Sequence, residues 1–197
     1  MMRIVVAHTG ASGSIYCLKF LKWLSLKRDV KVSFIASAEG YKVLQHEAQY
    51  TKNDIKKLVP TIISNNDLFA DISSGTAGVN AMVIVPASMN TIAKIVHGVS
   101  DTLITRCASN MLKLRRKLIV VAREMPLSTI HLENLTALSK AGADIMLAAP
   151  PFYNLPKNID ELTLPVLYYI NELLGLENNI NFKWRGESIA SAKDDED

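Results

Sequence analysis

Residues 3–18 read RIVVAHTGASGSIYCL. The first five, Arg3–Ala7, are almost all apolar, as expected of a strand that is covered on both faces of a sheet. Small residues follow directly in Gly10–Gly13, and Ile15 and Leu18 then begin a pattern with helical spacing. The stretch therefore predicts a central strand, a tight turn and a helix, which together open an α/β fold.

Four further apolar runs alternate with segments of helical periodicity along the chain. These runs are Val30–Ala36, Met82–Val85, Lys117–Ala122 and Asp144–Leu147, and helices are predicted after Ala38, Met89, Asp101, Leu127 and Ile159. The alternation predicts a three-layer α/β fold, with a doubly wound, mostly parallel sheet between two layers of helices. Asp101 is expected to cap its helix. Residues 53–74 show neither pattern clearly.

The bulk composition is that of an ordinary globular protein, with 49% hydrophobic and 21% charged residues in a chain of 197. We expect residues 1–186 to form a single domain, and residues 187–197, which end in four acidic residues, to be a disordered tail. No apolar run approaches the roughly 20 residues of a membrane span. The two cysteines lack metal-ligand spacing. These features predict a soluble, cytoplasmic protein without a metal site.

The net charge of the chain is lowered by its acidic C-terminal residues, and the rest of the chain is strongly basic. Residues 1–193 hold 22 basic and 15 acidic residues, a formal charge of +7. Such a charge suits nucleic acid or a small phosphorylated ligand. Because the chain has no nucleic-acid recognition motif and no basic face studded with aromatic residues, we expect the small ligand.

Three predicted strands end in turns of small or hydroxyl-bearing residues. They are Gly10–Ser14, Ser37 and Ser88–Thr91. In a parallel sheet the carboxyl ends of the strands share one edge, where ligands bind. Each turn alone fits a helix cap, whereas all three together favour a site for a phosphate and a polar ring system, such as FMN. The first turn lacks the spacing of the Rossmann fingerprint and of the P-loop, so NAD and ATP are not indicated.

Charged residues accumulate near the same edge. Arg106 and Lys113 are seven residues apart and would lie on nearly the same helix face, so that both could bind one anion. Arg123 and Glu124 follow the fourth predicted strand and are expected to form an ion pair there.

At this point the motifs resemble a known family. Residues 123–128 (REMPLS) and 131–134 (HLEN) are similar to the RETPLS…HLEN signature of the flavin prenyltransferases, the UbiX/Pad family. Five other blocks match in order and spacing: TGASG at 9–13, SSG at 73–75, PASMNT at 86–91, LKLRR at 112–116 and PFY at 151–153. The resemblance covers about residues 3 to 186 and implies a Rossmann-like flavoprotein fold.

The resemblance implies an activity and an assembly. The family joins the dimethylallyl group of dimethylallyl phosphate to N5 and C6 of reduced FMN without a metal. The product, prenylated FMN, serves UbiD-type decarboxylases. The family assembles as a homododecamer whose flavin sites are shared between subunits.

The resemblance also implies roles for individual residues. The implied FMN contacts are Gly10, Ala11, Ser12, Ser37, Ser88, Met89, Asn90, Thr91 and Arg123. The implied catalytic residues are Ser12, Glu47, Glu124, Tyr153 and Trp184, and the implied contacts to the substrate phosphate are Arg106, Lys113, Tyr153 and Tyr169.

One position departs from the family pattern. Sixteen residues beyond Tyr153 the family usually carries a basic residue, whereas this chain has Tyr169. A phenol donates one hydrogen bond but supplies no fixed charge, which leaves the choice between a monophosphate and a diphosphate donor open.

Two alternatives to prenyl transfer remain. The first is an FMN-binding reductase or carrier that has lost the donor chemistry. The second is an FMN-dependent cysteine decarboxylase, whose PAMN…MW turn this chain lacks, because Thr91-Ile92-Ala93-Lys94 follows Asn90.

Overall fold

Six parallel strands form one sheet in the computed structural model, which describes residues 1–178 and residue 180. The strands are β1 (Met2–His8), β2 (Val30–Ala36), β3 (Thr61–Ser64), β4 (Ala81–Ala87), β5 (Lys117–Ala122) and β6 (Asp144–Leu147). Their order across the sheet is β3-β2-β1-β4-β5-β6, which is the order of the Rossmann fold. The predicted doubly wound α/β fold is confirmed, and every pair of neighbouring strands is parallel.

Helices cover both faces of the sheet. They are α1 (Ser14–Ser25), α2 (Ala38–Ala48), α3 (Lys52–Leu58), α4 (Met89–Val96), α5 (Leu103–Lys113), α6 (Thr129–Lys140) and α7 (Ile159–Leu174). One core cluster holds buried residues of α4, α5 and α6, and the other holds residues of α1, α3 and α7. In β1, Ile4 and Val6 contribute to the second cluster while Val5 and Ala7 contribute to the first. Both faces of β1 are therefore buried, which explains its continuous apolar run.

Two elements lie in the stretch whose sequence pattern is unclear. Helix α3 has seven residues, of which only Ile55 is buried, and strand β3 has four residues, none of them fully buried. Such short elements at the margin of the fold carry too little apolar periodicity to be predicted. Trp184 and the acidic tail, residues 187–197, lie outside the described residues.

The cap of α5 differs from the prediction. Thr102 is the N-cap, and its hydroxyl accepts the N–H of Thr105. Asp101 instead forms an ion pair with Lys94, with 2.6 Å between Nζ and Oδ2. The prediction was wrong by one residue because threonine and aspartate are both good caps and stand side by side.

Both cysteines are buried free thiols. Burial raises the pKa of Cys17 and raises that of Cys107 to about 12, so neither thiol is a ready nucleophile. Within residues 1–178, the longest apolar helix is still too short to cross a bilayer.

Helix α2 packs close to the end of β1 because Gly40 has no side chain. A Cβ atom on Gly40 would lie 2.6 Å from the carbonyl oxygen of His8 and 2.9 Å from its Nδ1. His8 is fully buried, and its carbonyl already accepts the N–H of Ser37 at 3.0 Å. The contact thus sets the distance of α2 from the strand end.

We predict that Gly40→Ala destabilises the protein. In an unconstrained helix this change stabilises by about 1 kcal/mol, but overpacking against His8 is expected to cost about 1–3 kcal/mol. Urea unfolding measures the difference. The matched control is Gly75→Ala, whose added Cβ would come closest to Cδ1 of Leu114, at 3.0 Å, and this end of a flexible side chain can rotate away. A Gly40→Ala protein as stable as the wild type would contradict the close packing.

Candidate active site

A cleft of about 390 Å³ opens at the carboxyl edge of the sheet. The turn after β1 and the first turns of α2, α4 and α5 contribute its walls. Five of the predicted FMN contacts line it, namely Gly10, Ser37, Ser88, Asn90 and Thr91. Three strand ends that are far apart in sequence therefore meet in one cavity.

The serine turns are also helix caps. The hydroxyl of Ser37 accepts the N–H of Gly40 at 3.0 Å, and that of Ser88 accepts the N–H of Thr91 at 3.4 Å. The caps are therefore observed, and they leave room for a ligand because a capped helix still presents its first N–H groups to the cleft.

Several backbone N–H groups at these turns have no acceptor among the described residues. They belong to Gly10, Ala11, Ser12, Ala38, Glu39, Met89 and Asn90. Free N–H groups at helix N-termini, together with the positive end of the helix dipole, bind phosphate well. The geometry fits the phosphate of FMN. The Met89 side chain itself packs in the core, so only its backbone is available to a ligand.

The N-terminus of α5 differs in this respect. Its first two N–H groups, of Leu103 and Ile104, bind the carbonyl and side-chain oxygens of Asn65 at 2.8 and 3.0 Å. Asn65 also lines the cleft. It was not predicted, because it lies within residues 53–74, whose sequence shows neither strand nor helix periodicity clearly.

Glu47 and Ser12 are in contact. The Glu47 carboxylate accepts the N–H of Ser14 at 2.8 Å and that of Gly13 at 3.0 Å, besides the Ser12 hydroxyl. Gly13, the N-cap of α1, has φ 109° and no side chain to cap with, so a carboxylate from α2 takes this role. Burial alone would raise the pKa of Glu47, but the hydrogen bonds from Ser12, Ser14 and Gly13 outweigh it and lower the pKa.

His8 lies behind this turn and was not predicted as a site residue, whereas its partner Ser14 ends the predicted turn Gly10–Ser14. His8 is fully buried, and its Nε2 lies 3.1 Å from the hydroxyl oxygen of Ser14, whose side chain also binds Glu47. Burial lowers the pKa of His8 to about 4, against the opposing charge of Glu47, so the ring is neutral at pH 7. The one sequence feature that could have indicated His8 as a site residue is its place as the last residue of an otherwise apolar strand.

The turn that contains Arg123 and Glu124 follows β5. The N–H of Arg123 binds the carbonyl oxygen of Ala87 at 3.2 Å, which ties this turn to the end of β4. Both side chains are exposed, and Glu124 accepts the N–H of Met125 at 3.1 Å. The expected Arg123–Glu124 ion pair is not among the ion pairs of the described residues.

The predicted phosphate contacts lie in two places. Arg106 and Lys113 are exposed on α5, which packs on the sheet face shared with α4 and α6. Tyr153 lies in the loop after β6, and Tyr169 lies on α7, which packs on the opposite face. Helix α5 begins at the cleft and ends near the start of β5, so Lys113 lies towards the other edge of the sheet.

The two tyrosines are neighbours. Their side chains form a hydrogen bond, and both are about half exposed. Partial burial and the nearby Tyr169 hydroxyl raise the pKa of Tyr153. The Tyr153 phenol therefore stays protonated at neutral pH and can act as a hydrogen-bond donor. In the described part of the chain, no cluster of three or more His, Cys, Asp and Glu side chains could hold a metal ion.

We predict that Glu47→Gln removes a pH-dependent part of the stability. Because the pKa of Glu47 is lower in the folded protein than its ordinary value of 4.5, its contribution is present above that value and is lost as pH falls below it. Urea unfolding from pH 7 down to pH 3 should show wild type and variant converging in acid. A stability gap that stays constant over this range would contradict the carboxylate cap.

Comparisons with known proteins identify the family of the chain. The family model described as Flavoprotein matches residues 1–163. Flavin prenyltransferase LpdB of Lactiplantibacillus plantarum is 43% identical over 187 residues, which cover 95% of this chain and 100% of the relative.

Two solved structures have nearly the same fold. A crystal structure of AnUbiX (PadA1) in complex with FMN and dimethylallyl pyrophosphate is 36% identical, with a TM-score of 0.90 over 95% of this chain and 99% of that one. A dodecameric FMN-dependent UbiX-like decarboxylase from Escherichia coli O157:H7 is also 36% identical, with a TM-score of 0.91 over 94% of this chain and 100% of that one. The chain belongs to the flavoprotein family and, within it, to the flavin prenyltransferases.

Proposed function

We propose that this protein is a flavin prenyltransferase, which joins the dimethylallyl group of dimethylallyl monophosphate to N5 and C6 of reduced FMN. The observation that carries the proposal is the cleft where three strand-end turns meet beside the Ser12–Glu47 pair. It offers an anion-binding rim and a proton-transfer pair at one edge of the sheet. The relatives named flavin prenyltransferase and the AnUbiX complex support the same activity.

FMN is held by the turns that line the cleft. The free N–H groups at the N-termini of α2 and α4 bind its phosphate, and Ser37, Ser88 and Thr91 add hydroxyl groups. Arg123 extends from the adjoining turn after β5. When bound, reduced FMN supplies the nucleophilic N5 and C6 atoms.

Ser12 and Glu47 move the proton that ring closure releases. The lowered pKa of Glu47 keeps its carboxylate charged at neutral pH, so it can accept a proton through the Ser12 hydroxyl. Glu124 is a second carboxylate at the same rim of the sheet. The Gly13 and Ser14 N–H groups hold the Glu47 carboxylate in position throughout.

The donor phosphate is bound by cations and phenols together. Arg106 and Lys113 neutralise the charge of the leaving phosphate, which lowers the barrier to its departure. Tyr153 and Tyr169 donate hydrogen bonds to the phosphate. The aromatic face of Tyr153 flanks the allyl group, where an electron-rich ring stabilises positive charge without trapping it. The family resemblance implies the same role for Trp184, which lies outside the described residues.

The binding sites are shared between subunits of a homo-oligomer, which we propose to be a homododecamer. Arg106 and Lys113 lie on the opposite sheet face from Tyr169 in one chain, so a neighbour must complete the phosphate site. Large apolar side chains are available for such contacts, including Phe69 at 101% exposure, Met125 at 84% and Leu155 at 81%. The similar E. coli protein is dodecameric.

The product then leaves the protein for a UbiD-type decarboxylase in the cytoplasm. Prenylated FMN serves a second enzyme, so neither a nucleic acid nor a membrane takes part. A reductase or carrier of the same fold is the alternative that the assay below separates.

We expect the purified protein to increase the mass of reduced FMN by one five-carbon unit when dimethylallyl monophosphate is added under anaerobic conditions. Mass spectrometry of the released flavin measures this, and dimethylallyl diphosphate tests the donor choice that Tyr169 leaves open. Ser12→Ala should bind FMN and lose at least about tenfold in rate, the lower range for acid–base catalysis. An unchanged flavin mass with both donors would reject the function, and steady NAD(P)H oxidation without a donor would favour the reductase.

Shared sites predict that two inactive variants can rescue each other. Lys113→Met and Tyr153→Phe each remove one side of the phosphate site, and mixed oligomers regain sites in which both native residues meet. Co-expression with two affinity tags and the flavin mass assay tests this. The matched control combines Ser12→Ala with Glu47→Gln, which change two residues in contact within one chain and should not rescue each other. No recovery in the first mixture would mean that each chain builds its own site.

A further inference from the structure

An ion pair lies in the wall of the cleft, beyond the predicted FMN contacts. Lys94 of α4 lines the cleft, and its Nζ is 2.6 Å from Oδ2 of Asp101. Their side chains are 34% and 48% exposed. Because exposed pairs of this kind are weak and lysine has a flexible stem, the ammonium group can exchange one anionic partner for another at low cost.

Lys94 is adjacent to the anion-binding end of the cleft. It follows Thr91 by three residues on the same helix, and residues at this spacing share one face. Both residues line the cleft. The free N–H groups of Met89 and Asn90 begin the same helix one turn away. A phosphate bound at this N-terminus therefore lies within reach of the Lys94 ammonium group.

Among the described residues that line the cleft, the Lys94 ammonium group is the cation that a ligand could bind. Among the described lining residues, Lys94 is the only basic one, and Glu39 is the acidic one. Glu39 pairs with Lys42 at 2.8 Å. While Lys94 remains on Asp101, a phosphate dianion would meet no unpaired positive side chain in the wall.

The Asp101 carboxylate keeps other favourable interactions when Lys94 leaves it. Its Oδ1 lies 3.5 Å from the Thr105 hydroxyl, and it stands at the N-terminus of α5, where the helix dipole favours negative charge. Both partners are also exposed enough to be hydrated. The Lys94 ammonium group can therefore leave Asp101 for a bound anion, and the ion pair is not a fixed structural contact.

We propose that Lys94 is a further FMN-binding residue, whose ammonium group leaves Asp101 to pair with the phosphate of FMN. Asp101 competes for the same cation and so limits the affinity. The pair makes the cleft select the phosphorylated flavin over riboflavin, which lacks the phosphate. This inference rests on the proposed binding of FMN but not on the prenyl transfer step.

The test compares FMN with riboflavin as ligands of the full-length protein. Fluorescence quenching of each oxidised flavin gives its Kd for wild type, Lys94→Met and Asp101→Asn. Lys94→Met should weaken FMN binding roughly tenfold, as expected for loss of a charge-assisted hydrogen bond, and leave riboflavin unchanged. Asp101→Asn should tighten FMN binding several-fold, because the competing anion is gone, again without an effect on riboflavin.

Two further variants keep the result interpretable. Lys57→Met removes a lysine from another surface ion pair, with Asp54 on α3 and outside the cleft, and should change neither affinity. Lys94→Arg keeps the charge and should retain the preference for FMN, so it decides the question together with Asp101→Asn if Lys94→Met does not fold. Equal changes for both flavins, no change in Lys94→Met, or weaker FMN binding in Asp101→Asn would overturn the proposal. Wild type that binds FMN but leaves its mass unaltered would refute the prenyl transfer alone.

Discussion

Parallel pairing of the strands is the constraint on which the site depends. His8 pairs with Ala36, and Ala87 pairs with Ala122, so β1, β2, β4 and β5 end at nearly the same level. Each following turn then begins at the same edge. Gly10 and Thr105, which are 95 positions apart in the chain, thereby line one cleft, and no single motif has to hold the ligand by itself.

The strands were predictable because burial on both faces of the sheet requires a continuous run of apolar residues. β2, β5 and β6 have the predicted bounds, and β1 and β4 extend the predicted runs by one or two residues at each end. A strand buried on both faces must be apolar throughout, and that signal survives without knowledge of its neighbours. β3 and α3 lack it because they lie at the margin of the fold, where few side chains are buried.

The site was predictable only in part, since its members are defined by contacts across the fold. The serine turns stand out locally because a cap is a local structure. Glu47 was named only through the family resemblance, because its partners Gly13 and Ser14 are over 30 residues away. Asn65 and Lys94 have no local signature, and His8 has only its place at the end of an apolar strand, so the packing of α2, α4 and α5 is needed to reveal what they contact.

In the proposed mechanism, Glu47 links proton transfer to the rigidity of the turn Gly10–Ser14. One carboxylate closes the first turn of α1 and also binds Ser12. A proton arriving on it would replace an anionic acceptor with a neutral one and weaken every hydrogen bond it receives. The loop would then be stiffest while the reactants are being aligned and most yielding once the proton has been taken up, which is the moment when the bulkier four-ring flavin has to depart.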